Sequence, residues 1–383
     1  MGEGTMRFVG LDVHAETIAV AVAEGDGGEV RSLGSIPNTA EAVAALLRRP
    51  GPAGRLRVCY EAGPCGYVLS RQLAELGIEC VVVAPSLVPT KPGDKVKTDR
   101  RDALKLARLH RGGDLTAVWV PDAAHEALRD LTRARETALG EVQRGRARLR
   151  SFLLRLGLRP PAGVRPGTVR HRDWLAQLKP GQPAHRAVLA EALTALDQAT
   201  ARLTRLEDAI AEQAQTSPMA PLLGALQTLR GVAAVTAATV VAELGDLTRF
   251  ASPRQLMAYA GLVPGEHSSG GRTRRGGITK TGNAHVRRVV VEAAWHYRHP
   301  PRVGATLRRR QAGQPAAAVA IAWTAQGRLH QRFRRLLGRG KLKQEAVVAV
   351  ARELLGFLWA IARQVDAATA RPAAAEQAAA VAA

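Results

Sequence analysis

Four acidic side chains stand where a strongly basic chain has little structural reason to place them. Asp12 ends the apolar run RFVGLD, and Glu61 ends the apolar run LRVCYE. Asp99 and Asp102 begin the helical pattern KTDRRDALKLARL, where a spacing of three puts both on one helix face. Carboxylates gathered in this way are typical ligands of divalent metals, including the ions of two-metal phosphoryl transfer. The sequence therefore predicts a metal site formed by these four acids.

Each acid also has an ordinary structural role open to it. Asp12 would cap a turn after its strand, and Glu61 would pair with a surface arginine. Asp99 and Asp102 would each stabilise the dipole of the helix that they begin by about 0.3–1 kcal/mol. His14 follows the first strand and is either an ordinary turn residue or a group that reaches a phosphate or acts as a general acid or base. The set of four acids in this order is more specific than any one member.

The elements that must position these acids follow the order of a ribonuclease-H-like fold. Residues 6–35 predict three antiparallel strands with a hairpin turn at 25–28, and alternating helix and strand come next. Two of the acids would then lie at strand ends, and the other two at the start of a late helix. Because such ends meet at one edge of the sheet, we expect the carboxylates to converge.

The rest of the chain is predicted to be mainly helical. Two long helical patterns, at about 122–157 and 183–214, flank a Pro/Gly-rich break at 159–167. They predict a helical hairpin or coiled-coil arm that joins subunits or spans a duplex, with an ordinary helical bundle as the alternative. The segment TLRGVAAVTAATVV has the form of a helix–hairpin–helix that turns at Gly231 and directs backbone N–H groups at a phosphate.

A loop rich in Gly, Ser, Thr and Arg follows, GEHSSGGRTRRGGITKTGNAHVRR. Its glycines allow close approach of the backbone to a ligand, and its cations suit phosphates. Each cation could equally be a solvated surface charge. The candidate nucleic-acid-binding residues are Arg272, Arg274, Arg275, Lys280, Arg287 and Arg288.

The patterns divide the 383 residues into four parts. We expect an α/β catalytic domain at 1–120, a helical arm at 121–217, a helical C-terminal domain at 218–365 and a disordered alanine-rich tail at 366–383.

Composition indicates the kind of partner. The net charge of +22 predicts a polyanion, with nucleic acid as the first candidate and a membrane surface as the second. The chain contains neither an apolar run of 18 residues nor a signal peptide, so we expect a cytoplasmic protein with no membrane segment. The three cysteines lack a C-x-x-C spacing, which argues against zinc and against a disulfide framework.

The acidic blocks resemble those of a known family. GLDVHAETIAVAV, CYEAGPCGY and VKTDRRDALKLARL are similar, in this order, to the three acidic blocks of IS110-type transposases, the DEDD recombinases. The segment from GVAAVTAATVV to EAAWHYR is similar to the C-terminal domain of that family, so the resemblance covers about residues 6–335. It implies a RuvC-like N-terminal domain that binds Mg²⁺, or alternatively Mn²⁺, through the tetrad Asp12, Glu61, Asp99 and Asp102.

The resemblance also implies a catalytic serine and particular partners. The nucleophile would be Ser268 or Ser269 in the block HSSGG. The partners would be donor and target DNA, a structured non-coding guide RNA, and further copies of the chain in a dimer or tetramer. From the residues alone, both serines could instead hydrogen-bond a phosphate or a turn.

The expected function is that of an RNA-guided DNA transposase, a recombinase that cuts and rejoins DNA. A site-specific DNA invertase of the same family is one alternative. A nuclease of the Holliday-junction-resolvase type, which uses the tetrad and water, is a second. A catalytically silent nucleic-acid-binding protein is a third.

Overall fold

A computed structural model of the chain describes residues 5–48, 55–90, 93, 97–272 and 274–382, with the backbone alone for Arg275 and residues 368–382. The chain forms two compact units, Met1–Pro121 and Asp122–Ala383.

The first unit is built on a mixed five-stranded sheet, as the sequence predicted. The strand order is β3-β2-β1-β4-β5. The first three strands pair antiparallel, whereas β4 is parallel to both β1 and β5. The strands are β1 (Arg7–Val13), β2 (Thr17–Glu24), β3 (Arg31–Pro37), β4 (Leu56–Glu61) and β5 (Glu79–Val83).

The two faces of this sheet bury side chains of different size. Ile18, Val20 and Val22 of β2 join a large apolar cluster on one face, which includes residues of two helices. The alternate residues of the same strand are alanines, and they pack against Ala103 and Ala107 of the third helix. Small residues on both sides let that helix lie close to the sheet. The helices of this unit are α1 (Ala40–Arg48), α2 (Val68–Glu75) and α3 (Asp99–Gly112).

The second unit is mainly helical, which confirms the predicted class. The two long helices predicted from the sequence are present, with a short helix and a two-stranded sheet that the patterns did not predict. The elements are α4 (Ala123–Arg155), α5 (Val169–Gln177), α6 (Pro183–Thr216), α7 (Ala220–Leu226), α8 (Ala234–Leu244), α9 (Pro253–Tyr259), β6 (Pro264–Glu266), β7 (Arg275–Ile278), α10 (Ala284–Ala294), α11 (Ala305–Gln311), α12 (Ala316–Gly338) and α13 (Lys343–Ala382).

The long helices α4 and α6 pack against each other along their length. Apolar residues near the end of α4, including Phe152 and Leu153, form a cluster with Leu189 of α6 and Leu175 of α5. An ion pair between Arg202 and Glu141, 3.0 Å long, crosses the same pair of helices. The supercoil predicted for this pair stays a prediction.

The last helix, α13, continues through the alanine-rich stretch that composition predicted to be disordered from 366 onward. Alanine has the highest intrinsic helix propensity, which is the physical reason for a helical backbone there. Across the described ranges, every helix is too short or too polar to cross a membrane.

Candidate active site

Asp12 and Glu61 lie next to each other at the ends of two adjacent strands. The parallel neighbours β1 and β4 pair Leu11 with Tyr60, so the next residues, Asp12 and Glu61, follow on adjacent strands. Both side chains are half-buried at this edge. The order of the strands, which brings β1 next to β4, therefore determines the proximity of two acids that lie far apart in the chain.

The other two acids come from the first turn of α3. Thr98 caps this helix, because its hydroxyl accepts a hydrogen bond from the backbone N–H of Arg101 at 3.4 Å. The helix lies so close to β1 that a Cβ on Gly10 would stand 2.4 Å from the carbonyl oxygen of Ala103 and 2.4 Å from the nitrogen of Ala107. Only glycine permits this approach.

One histidine joins the acids. Nε2 of His14 lies 3.4 Å from Oδ2 of Asp12 and 3.5 Å from Oδ1 of Asp99. One possible ligand atom from each of the three residues lies within 4.8 Å of the other two. This group could hold a metal ion, and the sequence analysis assigned His14 no ligand role. The hairpin of β1 and β2 brings it there, since the backbone N–H of His14 bonds the carbonyl of Thr17 at 2.9 Å.

Burial and neighbouring charges shift the pKa values of two of the four acids, Asp12 and Glu61. Burial raises the pKa of Asp12, and the charges of Asp102 and Asp99 raise it further, while His14 opposes the shift. Burial also raises the pKa of Glu61; Asp102 and Asp12 add to the increase, and Lys97 reduces it. Asp99 and Asp102 therefore lie near Asp12, and Asp102 also lies near Glu61. Among the described residues, the group whose possible ligand atoms lie within 4.8 Å of one another contains Asp12, His14 and Asp99, and not Glu61 or Asp102. A divalent cation would stabilise Asp12 and Glu61, whose pKa values are raised, in their charged form.

The two candidate serines lie between β6 and β7 of the second unit, and both are exposed. The Ser268 hydroxyl donates a hydrogen bond of 2.8 Å to Oε1 of Glu266. Ser269 instead forms an isolated β-bridge with Arg272. Gly270, with a φ of +49°, makes the turn after them. The local surroundings thus distinguish two serines that the sequence left equivalent.

The six candidate nucleic-acid-binding residues divide into two groups. Arg287 donates to the carbonyls of Ala260, Thr281 and Gly282 at 3.1, 2.8 and 3.3 Å, so it bonds the backbone before β6 and after β7. The segment between these two strands, which contains both serines, is called the serine loop. Arg288 pairs with Glu136 at 2.9 Å. The side chains exposed beside the serine loop are those of Arg272, Arg274 and Lys280, and for Arg275 the structure describes the backbone alone.

A buried acid that the sequence analysis did not select fixes the end of this loop. Glu243 of α8, 1% exposed, accepts two hydrogen bonds from Arg133 at 2.7 and 3.0 Å. It also accepts one of 2.6 Å from the side chain of Asn283, which itself caps α10 by accepting from Val286 N–H. The sequence signal is one acid within the apolar helix AVTAATVVAEL.

Comparisons with known proteins match both units. Residues 223–307 match the family described as Transposase IS116/IS110/IS902. Residues 9–157 match a second transposase family, the DEDD transposases of IS110 type. The chain is 47% identical to the putative transposase y4qE of Sinorhizobium fredii, over 93% of this chain and 88% of that protein. It is 31% identical to the transposase for insertion sequence element IS1533 of Leptospira borgpetersenii, over 87% of this chain and 97% of the relative.

Proposed function

Because the chain belongs to the IS116/IS110/IS902 family of transposases, we propose that it cuts and rejoins DNA with a carboxylate-bound metal and a serine. The observation that supports this proposal is the set of acids around Asp12, at the edge shared by β1, β4 and α3. We further propose that this first unit has a RuvC-like, RNase H-type fold, on the basis of its strand order β3-β2-β1-β4-β5.

Asp12, Glu61, Asp99 and Asp102 would hold Mg²⁺, with Mn²⁺ as the alternative ion, and His14 lies where it adds a ligand or orients one. All offer oxygen or imidazole nitrogen, and the oxygens suit these hard cations. A bound ion supplies Lewis-acid stabilisation of the charge on a scissile phosphate. Asp12 and Asp99 would bind the ion on the side where His14 lies, since a carboxylate oxygen of each is close to the His14 imidazole.

The serine loop would supply the nucleophile. Attack by a serine Oγ forms a bond to phosphorus and breaks the bond between phosphorus and one DNA oxygen. The serine proton leaves as the new DNA hydroxyl forms, and the phosphoserine link conserves the bond energy for rejoining. Glu266 accepts the hydrogen bond of Ser268, which favours that serine for proton removal, whereas Ser269 precedes the glycines that leave room for a phosphate. Both serines remain candidates.

The remaining assignments are proposals from the family resemblance and from the sequence patterns. A structured guide RNA would select donor and target DNA, which leaves phosphate contact to Arg272, Arg274, Arg275 and Lys280. The four-part division, the coiled-coil arm of α4 and α6, and a helix–hairpin–helix at Gly231 belong to the same proposal. Because the serine follows the last acid by a long stretch of chain, we propose an oligomer whose subunits share the active site.

A covalent-trapping assay tests the proposal. The protein is incubated with Mg²⁺, the DNA ends of its element and the RNA transcribed from the flanking DNA, then denatured and resolved from free DNA. We expect a protein–DNA adduct that is lost in Asp12→Asn and in either Ser268→Ala or Ser269→Ala. Ser151→Ala, at an exposed position of α4, is the matched control and should form the adduct.

Each other outcome has a definite meaning. Cleavage without any adduct would identify water as the nucleophile and favour a resolvase-like nuclease. Cleavage by Asp12→Asn at the normal rate would remove the metal site from the mechanism. Rejoined products with inverted rather than inserted DNA would assign the chain to the invertases of the family.

A further inference from the structure

A group of cations surrounds the turn at Gly231, in the second unit. They come from three places along the chain: the residue before the turn, the segment after α10 and the end of α11. We call them the Arg230 cluster, which consists of Arg230, His296, Arg298, His299, Arg302 and Arg310. The side chains of Arg298, His299 and Arg302 are exposed, whereas Arg230 and Arg310 are half-buried beneath them.

Backbone contacts hold the cluster together. Gly231 has a φ of +82°, and a Cβ there would stand 2.5 Å from the carbonyl oxygen of Ala293, so the turn packs directly on the end of α10. Arg230 donates to the carbonyls of His299 and Pro300 at 3.1 and 2.8 Å. Arg310 donates to the carbonyl of Val232. These arginines therefore bond neutral oxygens rather than carboxylates.

The positive charge of the cluster has no local compensation. Burial lowers the pKa of Arg230, and Arg302 lowers it further. Burial also lowers the pKa of Arg310. Burial together with Arg230 lowers the pKa of His296, and its other cationic neighbours act in the same direction. In the part of the chain that the structure describes, no carboxylate contributes to the shift of either arginine.

Buried hydrogen-bond donors without acceptors lie beneath the same cations. Among the described residues, Oη of Tyr297, Nε of Arg310 and Nε2 of Gln326 are buried and lack a partner. Burial raises the pKa of Tyr297 while Arg230 and Arg310 oppose the rise, which places its phenol beside both guanidinium groups. Gln326 is 1% exposed and accepts from the backbone N–H of Arg302 at 2.9 Å. A buried donor without a partner destabilises the folded state.

A helix N-terminus faces the same turn. The helix α8 begins at Ala234, directly after the turn, and no side chain caps it. The residue before it, Ala233, is exposed, so its end is open to solvent. Free backbone N–H groups at the positive end of a helix dipole favour a bound anion.

We infer that the Arg230 cluster is a binding site for the sugar–phosphate backbone of a nucleic acid, separate in sequence from the serine loop. The arginines bond neutral oxygens only, and the helix N-terminus is open to solvent. Both lack a negatively charged hydrogen-bond acceptor, and phosphate oxygens supply one. The exposed rim formed by Arg298 and Arg302 suits a polyanion that extends across the surface. The inference rests on the proposed function, since it assumes a nucleic-acid substrate or guide.

A pair of double variants tests the site in the full-length protein. Arg298→Gln with Arg302→Gln removes two charges from the rim. Arg308→Gln with Arg309→Gln removes two from exposed positions of the adjacent helix α11, and it is the matched control. Binding to fluorescent duplex DNA, single-stranded DNA and a hairpin RNA is measured by anisotropy over a series of salt concentrations. Thermal unfolding of each variant checks that the fold is intact.

We expect the rim variant to bind at least one of the three nucleic acids about tenfold more weakly. The slope of log affinity against log salt should fall by about two, because each lost phosphate contact removes about 0.9. The nucleic acid with the largest loss identifies the ligand, DNA or RNA. An equal loss in the control would show that net charge alone matters and would overturn the site. Unchanged binding by the rim variant would overturn it too, whereas absent binding by the wild-type protein would overturn the proposed function itself.

Discussion

At the scale of single residues, the first unit concentrates negative charge beside one histidine. Nε2 of His14 lies 3.4 Å from one carboxylate and 3.5 Å from another, in a protein whose net charge is +22. Asp99 is mostly exposed and Asp12 is largely buried, so the group opens to solvent on one side. Such a site admits a hydrated cation and a phosphate while the strands keep the ligands in place.

Asp12→Asn should abolish metal-dependent stabilisation. In the wild-type protein, a divalent ion at a hundred times its Kd stabilises the fold by about 2.7 kcal/mol through mass action. The amide has lost the charge that attracts the ion, so Mg²⁺ or Mn²⁺ should leave the melting temperature of the variant unchanged. Differential scanning calorimetry with and without metal measures this.

An exposed acid just after β2, at the opposite end of the β1–β2 pair from Asp12, provides the comparison for that experiment. Asp26→Asn removes the same charge outside the group, and its melting temperature should still rise with metal. An equal rise in Asp12→Asn would mean that the ion binds elsewhere.

At the scale of elements, the position of α3 depends on the absence of a single methyl group. Gly10→Ala would place a carbon 2.4 Å from backbone atoms of Ala103 and Ala107, so the helix would have to move away from β1. Overpacking of this kind costs about 1–3 kcal/mol, and backbone atoms yield less readily than side chains. We expect a loss of about 3 kcal/mol in the free energy of unfolding and weaker metal binding, because Asp99 and Asp102 move with the helix. Urea unfolding of the variant checks it.

A second glycine shows whether the effect is specific. A Cβ on Gly63 would come no nearer than 3.9 Å to the carbonyl oxygen of Glu61, so Gly63→Ala should change stability by no more than about 1 kcal/mol. Equal losses in the two variants would contradict the close approach of α3 as the cause.

The ion pairs of Glu243 join three helices of the second unit. Arg133 belongs to α4, Glu243 to α8, and Asn283 caps α10. Burial raises the pKa of Glu243, but the bonds from Arg133 and Asn283 outweigh it, so the net shift is below the ordinary 4.5. Because the folded-state pKa is the lower one, this contribution to stability is present above about pH 4.5 and is lost as pH falls through the folded-state pKa.

Glu243→Gln should therefore destabilise the protein at neutral pH by about 3 kcal/mol, since it leaves the buried Arg129 without its counter-charge and removes the carboxylate that Arg133 bonds. Glu292→Gln is the control, because its pair with Arg288 is exposed and should cost about 0.5 kcal/mol or less. Thermal unfolding at pH 7 and pH 4 measures both. A difference between wild type and Glu243→Gln that did not shrink at pH 4 would contradict the assigned ion pair.

At the scale of the whole molecule, the two units have separate hydrophobic cores and differ in charge. Residues 1–121 contain 15 Lys and Arg against 14 Asp and Glu, so 21 of the 22 excess positive charges belong to residues 122–383. The core of the second unit runs through α7, α8, α10, α12 and α13, and that of the first lies on the sheet. Among the described residues, Arg129 is the one buried lysine or arginine, so most of the positive charge lies at the surface. Surface charge of one sign attracts a polyanion over long distances.

Nucleic-acid affinity of the wild-type protein should fall steeply with salt. If six to ten phosphates are contacted, the affinity falls by a factor of about 10³–10⁵ between 50 and 200 mM salt. Binding releases counterions from the nucleic acid, and this release is less favourable when the salt concentration is already high. Anisotropy titrations with duplex DNA measure the slope. A flat response over that range would contradict binding dominated by phosphates.

The sequence alone was enough for the local features. Alternating apolar residues predicted the strands, the helical period predicted α3, α4 and α6, and the four acids were identified by their places at strand ends and a helix start. The spacing of apolar residues shows which side of a helix or strand is buried, and this spacing can be read from residues close together in the chain. Short elements without a strong period, α5 and the β6–β7 pair, were not predicted for the same reason.

Only the tertiary structure decided which side chains meet. Nothing local in the chain indicates that His14 lies beside Asp99, that Glu243 neutralises Arg133, or that Arg287 bonds backbone carbonyls instead of solvent. The same holds for the Arg230 cluster, whose members come from three separate places around Gly231. Residue types and spacing determined the candidate chemistry, because a carboxylate or a guanidinium keeps its chemistry in any fold. The partners of each charge depend on contacts between distant segments, and those exist only once the chain is packed.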